Sequence, residues 1–234
     1  MNPSSPAPRI ALIHATPLAV APVEIAFDRH WPQARRMNLL DDSLAADRAE
    51  AGELSPAMVD RFRQLAGYAA STGCAGILFT CSAFGDAIDA AAAHVGLPTL
   101  KPNEAMFEAA LAASRDGRSA RLALVATFQA SLPSMAAEIE ALAAARGIAL
   151  DLRTVFVPEA MHALGAGRVE EHHSRIAEAA KDCGDRDAVL LAQFSMADAA
   201  ARVRAKLVCP VLTSPDCAVL ALKSRVGAPP APSA

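Results

Sequence analysis

The 234-residue chain has no run of 18 residues free of charge, polar breaks or proline, so it offers no helical membrane span. Its mean hydropathy of +0.25 comes from its abundant alanine. It has no charge excess either. A formal net charge of −3 excludes a dedicated basic surface for nucleic acid. Cysteine is sparse and irregular: residues 74, 81, 183, 209 and 217 form no CxxC, which points to reduced cytoplasmic thiols and neither a disulfide framework nor a zinc site. The first residues lack a basic region followed by an apolar core, so no signal peptide is expected. GxGxxG, Walker, HExxH and GxSxG motifs are missing, which removes the usual cofactor and metal readings.

What is present is an apolar core, 53% hydrophobic, arranged as short strands alternating with helices. Strands are expected at Arg9–His14, Arg36–Leu40 and Ala75–Thr80, with a short fourth after Pro98. Helices are expected at Ala15–His30, from Ser55-Pro56 to Thr72 with Gly73 as its stop, and at Ala83–His94. The pattern restarts with strands at Arg121–Ala126, Ala149–Val157, Ala188–Ala192 and Pro210–Leu212. Their helices are Ser131–Arg146, Val169–Cys183, Met196–Lys206 and one after Ser214-Pro215. Two separated strand pairs resemble each other at the same offset of 112 residues: Arg9-Ile-Ala-Leu-Ile with Arg121-Leu-Ala-Leu-Val, and Ile77–Asp86 with Val189–Asp198.

This predicts an α/β fold of two pseudo-symmetric lobes, each a small parallel sheet flanked by helices, with an active-site cleft between them. The first lobe takes residues 1–102 and is joined by a C-terminal helix at about 214–226; the second takes 103–213. The Ala/Pro/Ser tail from residue 228 is expected to fray.

Ligands of such sheets bind beyond the carboxyl ends of the strands. That rule singles out His14, Asp42, Ser43, Cys81, Ser82, Thr127, Glu159 and Gln193 to Ser195. Cys81 leads, because a thiol before a helix gains thiolate character from free N–H groups, which also hold a carboxylate. Its ordinary alternative is a small packed hydrophobe. His14 can bind a carboxylate or exchange a proton, unless it is satisfied by backbone hydrogen bonds. Thr127 offers a hydroxyl and an N–H to an anion, or caps the next helix. At an offset of 112 from Cys81 stands Gln193, which hydrogen-bonds but carries no proton. His172-His173 with Glu170-Glu171 reads as a solvated helical face and not a metal site.

The segments FTCSAFG (79–85), LVATFQAS (124–131), LLAQFSMA (190–197) and PVLTSP (210–215), in this order, resemble the aspartate/glutamate racemase superfamily. That superfamily includes hydantoin racemase, maleate isomerase and arylmalonate decarboxylase. The resemblance implies cofactor-free isomerase or racemase chemistry at the carbon next to a carboxylate of a small molecule. Family racemases place one cysteine in each lobe, and Cys81 with Ser82 and Ala83 matches the first such loop. Gln193, followed by Phe194 and Ser195, takes the place of the second cysteine. His14-Ala15 stands where glutamate racemases have an Asp-Ser pair, Thr127 matches a substrate-binding threonine, and Glu159 lies in a loop that often carries a site acid.

The implied catalytic pair is therefore Cys81 and His14. Asp42, Ser43, Ser82, Ala83, Thr127, Phe128, Glu159, Gln193, Phe194 and Ser195 are the implied substrate contacts, with no metal and no cofactor. A one-cysteine decarboxylase and a non-catalytic carboxylate-binding protein are the alternatives. A small carboxylate is the expected partner, with no membrane or nucleic acid, and a homodimer is the expected assembly. A walled cleft would use Phe84, Phe128, Phe194 and Met196, or those side chains pack the core.

Overall fold

The computed structural model describes residues 7–113 and 118–227, so the fraying expected from residue 228 lies outside the described residues. The chain divides into two compact units. The first comprises the described residues up to Lys101 and those from Ala218 onward; the second runs from Pro102 to Cys217.

In the first unit the strands are β1 (Arg9–His14), β2 (Arg35–Leu40), β3 (Gly76–Phe79) and β4 (Thr99–Leu100), all parallel in the order β2-β1-β3-β4. The helices are α1 (Val20–His30), α2 (Ser43–Ala51), α3 (Pro56–Ser71) and α4 (Gly85–Val95). Strand alternation sorts the side chains. Ala11, Ile13, Ile77 and Phe79 face a core shared with Phe62 and Ala66 of α3 and Ile88 of α4. Ser55 caps α3 through a hydrogen bond from the Met58 N–H, 3.3 Å, with Pro56 in its first turn, as the sequence requires. Gly73 follows with φ of 73°, the left-handed geometry that ends a helix cheaply only at glycine.

The second unit repeats the plan. Its strands β5 (Ser119–Ala126), β6 (Ala149–Phe156), β7 (Ala188–Leu191) and β8 (Val211–Thr213) lie parallel in the order β6-β5-β7-β8. Helices α5 (Glu104–Ala112) and α6 (Leu132–Ala145) bury one face of this sheet. Beyond α7 (Ala160–Gly165), helices α8 (Val169–Ala180) and α9 (Ala200–Arg204) bury the other. The chain closes with α10 (Ser214–Gly227). The offset of 112 holds in the pairing register: Ile10 faces Gly76 as Leu122 faces Ala188.

Several elements differ from expectation. Helices α2, α5 and α7 were not expected. The segment expected as one helix from Met196 to Lys206 is a 3₁₀ turn at Phe194–Ala199 followed by the five-residue α9. The helix expected from Ala15 begins with a 3₁₀ turn at Pro17–Ala19, because Thr16 caps that turn through the Leu18 N–H. No helix among the described residues is long and apolar enough to cross a membrane.

Candidate active site

The strand ends of the first unit carry two different surfaces. His14 and Thr80 close one face. His14 is fully buried, and both its ring nitrogens are engaged: Nδ1 lies 2.9 Å from Thr80 Oγ1 and Nε2 lies 2.8 Å from Asn38 Oδ1. The tautomer follows from the outer partners. Asn38 Nδ2 donates to Glu24 at 2.8 Å, so its Oδ1 faces the ring and His14 Nε2 is the donor. Nδ1 then accepts from the Thr80 hydroxyl. Burial lowers the His14 pKa below its ordinary value, against the opposing Asn38 bond and Glu24 charge, so the neutral ring is favoured. Its partners are side chains, not the backbone groups of the ordinary alternative, and proton exchange with a ligand would require breaking one of these bonds.

Cys81 follows β3 in extended geometry and precedes a 3₁₀ turn at Ser82–Phe84 that leads into α4. It is half-buried and packs against the Phe62–Phe79–Phe84 core. Burial pushes its thiol above the ordinary value, outweighing a hydrogen bond with the Ala83 backbone. The expected gain in thiolate character is thus reversed. Only a short 3₁₀ turn follows the thiol directly, and its polar help does not offset desolvation. All five thiols are raised by burial, Cys217 to about 11.

At the end of β2, Asp42 is exposed and its side chain caps nothing. Ser43 donates to Asp41 at 2.7 Å and accepts from Arg61 at 2.6 Å. Arg61 also pairs with Asp41 and Asp47. Burial would raise the Asp41 carboxyl, but its Ser43 and Arg61 bonds outweigh this and hold it below the ordinary value. Asp41 and Arg61 were not anticipated.

In the second unit Gln193 and Thr127 are joined. Gln193 Oε1 accepts from the Thr127 N–H at 2.6 Å and from its hydroxyl at 2.8 Å. The Ser82 and Ser195 hydroxyls make no hydrogen bond among the described residues. Phe128 is exposed, while Phe194, Phe84 and Met196 are buried. Glu159 is exposed and holds φ of 59°, the one non-glycine in the left-handed region among the described residues. Such strain persists only where surrounding structure imposes it.

His172 was missed, and its expected solvation is corrected. It is fully buried, with Nδ1 2.8 Å from the Ala160 carbonyl and Nε2 3.2 Å from the Ser195 carbonyl. It thereby ties the start of α7 to the loop after β7. The signal was present, since His172 shares the apolar stripe of Ile176 and Ala180 at i, i+4, i+8. No group of three or more His, Cys, Asp or Glu suited to a metal occurs among the described residues.

The fold and these strand ends define a two-unit parallel α/β protein with its polar groups gathered at the carboxyl edges. The family model for Asp/Glu/Hydantoin racemase matches residues 21–222, and the chain belongs to that family. The fold is similar to that of aspartate racemase from Picrophilus torridus, with a TM-score of 0.66, 17% identity and 94% of each chain covered. It is also similar to allantoin racemase from Klebsiella pneumoniae, with a TM-score of 0.63, 20% identity, and 93% of this chain and 87% of that one covered. Unliganded arylmalonate decarboxylase gives a TM-score of 0.58 at 17% identity, covering 94% of this chain and 93% of that one. No curated relative matches the chain by sequence.

Proposed function

We propose that the chain is a cofactor-independent, cysteine-dependent isomerase that moves a proton at the carbon next to a carboxylate of a small molecule. The observation that carries this is Cys81, a half-buried thiol at the carboxyl edge of a parallel sheet in a racemase-family chain. Cys81 sulfur, as thiolate, takes the α-proton. The electron pair of the broken C–H bond moves onto the carboxylate as an enediolate; Cys81 S–H then returns a proton to the same face, or water protonates the opposite face and inverts the carbon while the thiol gives its proton to solvent. Ser82, the residue after the thiol, supplies a donor to the developing oxyanion, worth about 3 kcal/mol when well placed. His14 holds the end of β1 through Thr80 and Asn38, acting as a positioning residue.

One observation favours a second reading, decarboxylation. A thiol kept protonated by burial is suited to giving a proton, and Gln193 carries none. There the C–CO₂ bond breaks, the enediolate keeps the electron pair, and Cys81 S–H delivers the proton.

The test is proton NMR in D₂O with amino acids, hydantoins, maleate and substituted malonates, comparing the wild type with Cys81→Ala. The isomerase reading expects Cys81-dependent α-deuteration without loss of carbon, by at least about 100-fold over the variant. Because the thiol is raised, the rate should climb with pH past neutrality. Cys81-dependent CO₂ release selects the second reading. Turnover that survives in Cys81→Ala rejects both.

A further inference from the structure

The Thr127–Gln193 pair fixes which way an amide faces. The Thr127 backbone N–H can only donate, so the group it meets must be the amide oxygen of Gln193, and the Thr127 hydroxyl donates to the same atom. The amide is thereby locked in one flip, and its Nε2 is directed away from Thr127. That nitrogen donates to no group among the described residues and is not a buried orphan. Thr127, expected from sequence to hold an anion itself, has both its donors spent on Gln193.

We propose that Gln193 is the specificity-determining residue of the second unit: clamped by Thr127, it presents N–H donors that select an acceptor oxygen on the ligand, a carboxylate, carbonyl or enediolate, over an ammonium group. The inference deepens the proposed function by assigning a ligand contact at the strand ends of the second unit, and rests on that reading only in taking the ligand to be a small carboxylate. The chemistry is one-sided. An amide NH₂ has two hydrogens and no useful lone pair, so an acceptor gains a bond there while an ammonium meets donor against donor. Gln193 stays neutral across the pH range, so this selection does not titrate. Thr127 is a positioning residue, acting through the amide it orients.

The experiment is ¹⁵N NMR of the full chain, with the Gln193 side-chain NH₂ pair identified by its loss in Gln193→Ala. Malonate and methylammonium serve as the acceptor-bearing and donor-only probes. The expected result is two separated proton signals that move with malonate and not with methylammonium, while the Thr127 N–H stays protected from exchange. In Thr127→Val, which keeps the backbone N–H but loses the hydroxyl, the malonate-induced shift of the pair should shrink and malonate binding should weaken about tenfold, with Thr127→Ser restoring both. If Thr127→Val does not fold, Gln193→Glu gives the same reading. Its carboxylate still accepts from Thr127 but offers no N–H, so malonate binding should be lost with the fold intact.

Malonate that frees the Gln193 pair and shifts the Thr127 N–H overturns the proposal, because the carboxylate has then taken Thr127's donors. No shift at either position, or an equal shift with methylammonium, overturns it as well. Repeating the titration in Cys81→Ala separates the two claims: the Gln193 response should persist there whether or not proton transfer proves to need Cys81.

Discussion

At the scale of single residues, the two sheets place their polar pairs one position apart. In the first unit the bonded pair is His14 with Thr80; at an offset of 112 the second unit has Ala126 and Ala192. In the second unit the bonded pair is Thr127 with Gln193, where the first unit has Ala15 and Cys81. Because side chains alternate along a strand, a shift of one residue moves the polar pair to the opposite face of the sheet. Cys81 therefore has an alanine where Gln193 has a threonine, and its thiol is left to desolvation. His14 gives the sharper pH prediction. Its folded pKa lies below the ordinary 6.5, so the folded state favours the neutral ring and the unfolded chain takes up the proton first. The stabilisation is complete above about pH 6.5 and is lost as pH falls toward the lowered folded value. Urea midpoints should therefore drop between about pH 7.5 and about pH 5. In His14→Gln that drop should shrink, while stability at neutral pH falls by about 1 kcal/mol. An unchanged slope in the variant would assign the acid sensitivity elsewhere.

Among the elements, the docking of α10 against β3 is the tightest constraint. A Cβ at Gly76 would lie 2.9 Å from Val226 Cγ2, 3.1 Å from Leu222 Cδ1 and 3.2 Å from the Pro98 carbonyl. The side chains can shift, but that carbonyl accepts the Ile77 N–H at 2.8 Å and holds the β3–β4 register. The equivalent position of the second sheet is Ala188, so the demand for glycine comes from α10 and not from strand geometry. Gly76→Ala should cost about 1–3 kcal/mol in chemical denaturation and Gly76→Val more, whereas a glycine-to-alanine control without positive φ and with open space around its Cβ, such as Gly85, should stay near neutral. Elements with strong local signals were legible from sequence. Arg9–His14 and Ala188–Leu191 are short buried apolar runs, and α3 announces itself through Ser55, Pro56 and Gly73. The unexpected elements lack such signals. Helix α2 buries only Leu44, α5 is apolar on nearly every side, and α7 has six residues. The strand ends were legible as positions because parallel sheets gather polar groups at one edge. Their bonding was not, because the Thr127–Gln193 clamp depends on register and the positive φ of Glu159 has no signature in a non-glycine residue.

At the scale of the whole molecule, one strand order is used twice while the chemistry at its edges has diverged. Each sheet keeps the same parallel plan, and the register repeats at an offset of 112, yet the equivalent loops carry a thiol in one unit and a clamped amide in the other. A two-carrier racemase removes a proton with one group and returns it with another, so inversion accompanies exchange from the first turnover. In this chain Gln193 cannot hold or release a proton, and His14 has both nitrogens committed to Thr80 and Asn38. If Cys81 carries the proton as proposed, it is the one mobile carrier among these three residues, and the proton should return mainly to the face it left. Deuterium should therefore enter the α-carbon faster than configuration is lost. Mass spectrometry and chiral chromatography on the same aliquots, with any substrate that shows Cys81-dependent exchange, measure the ratio directly. Equal initial rates of exchange and inversion in the wild type would require a second proton carrier and would return His14, released from Asn38 or Thr80, to the chemistry.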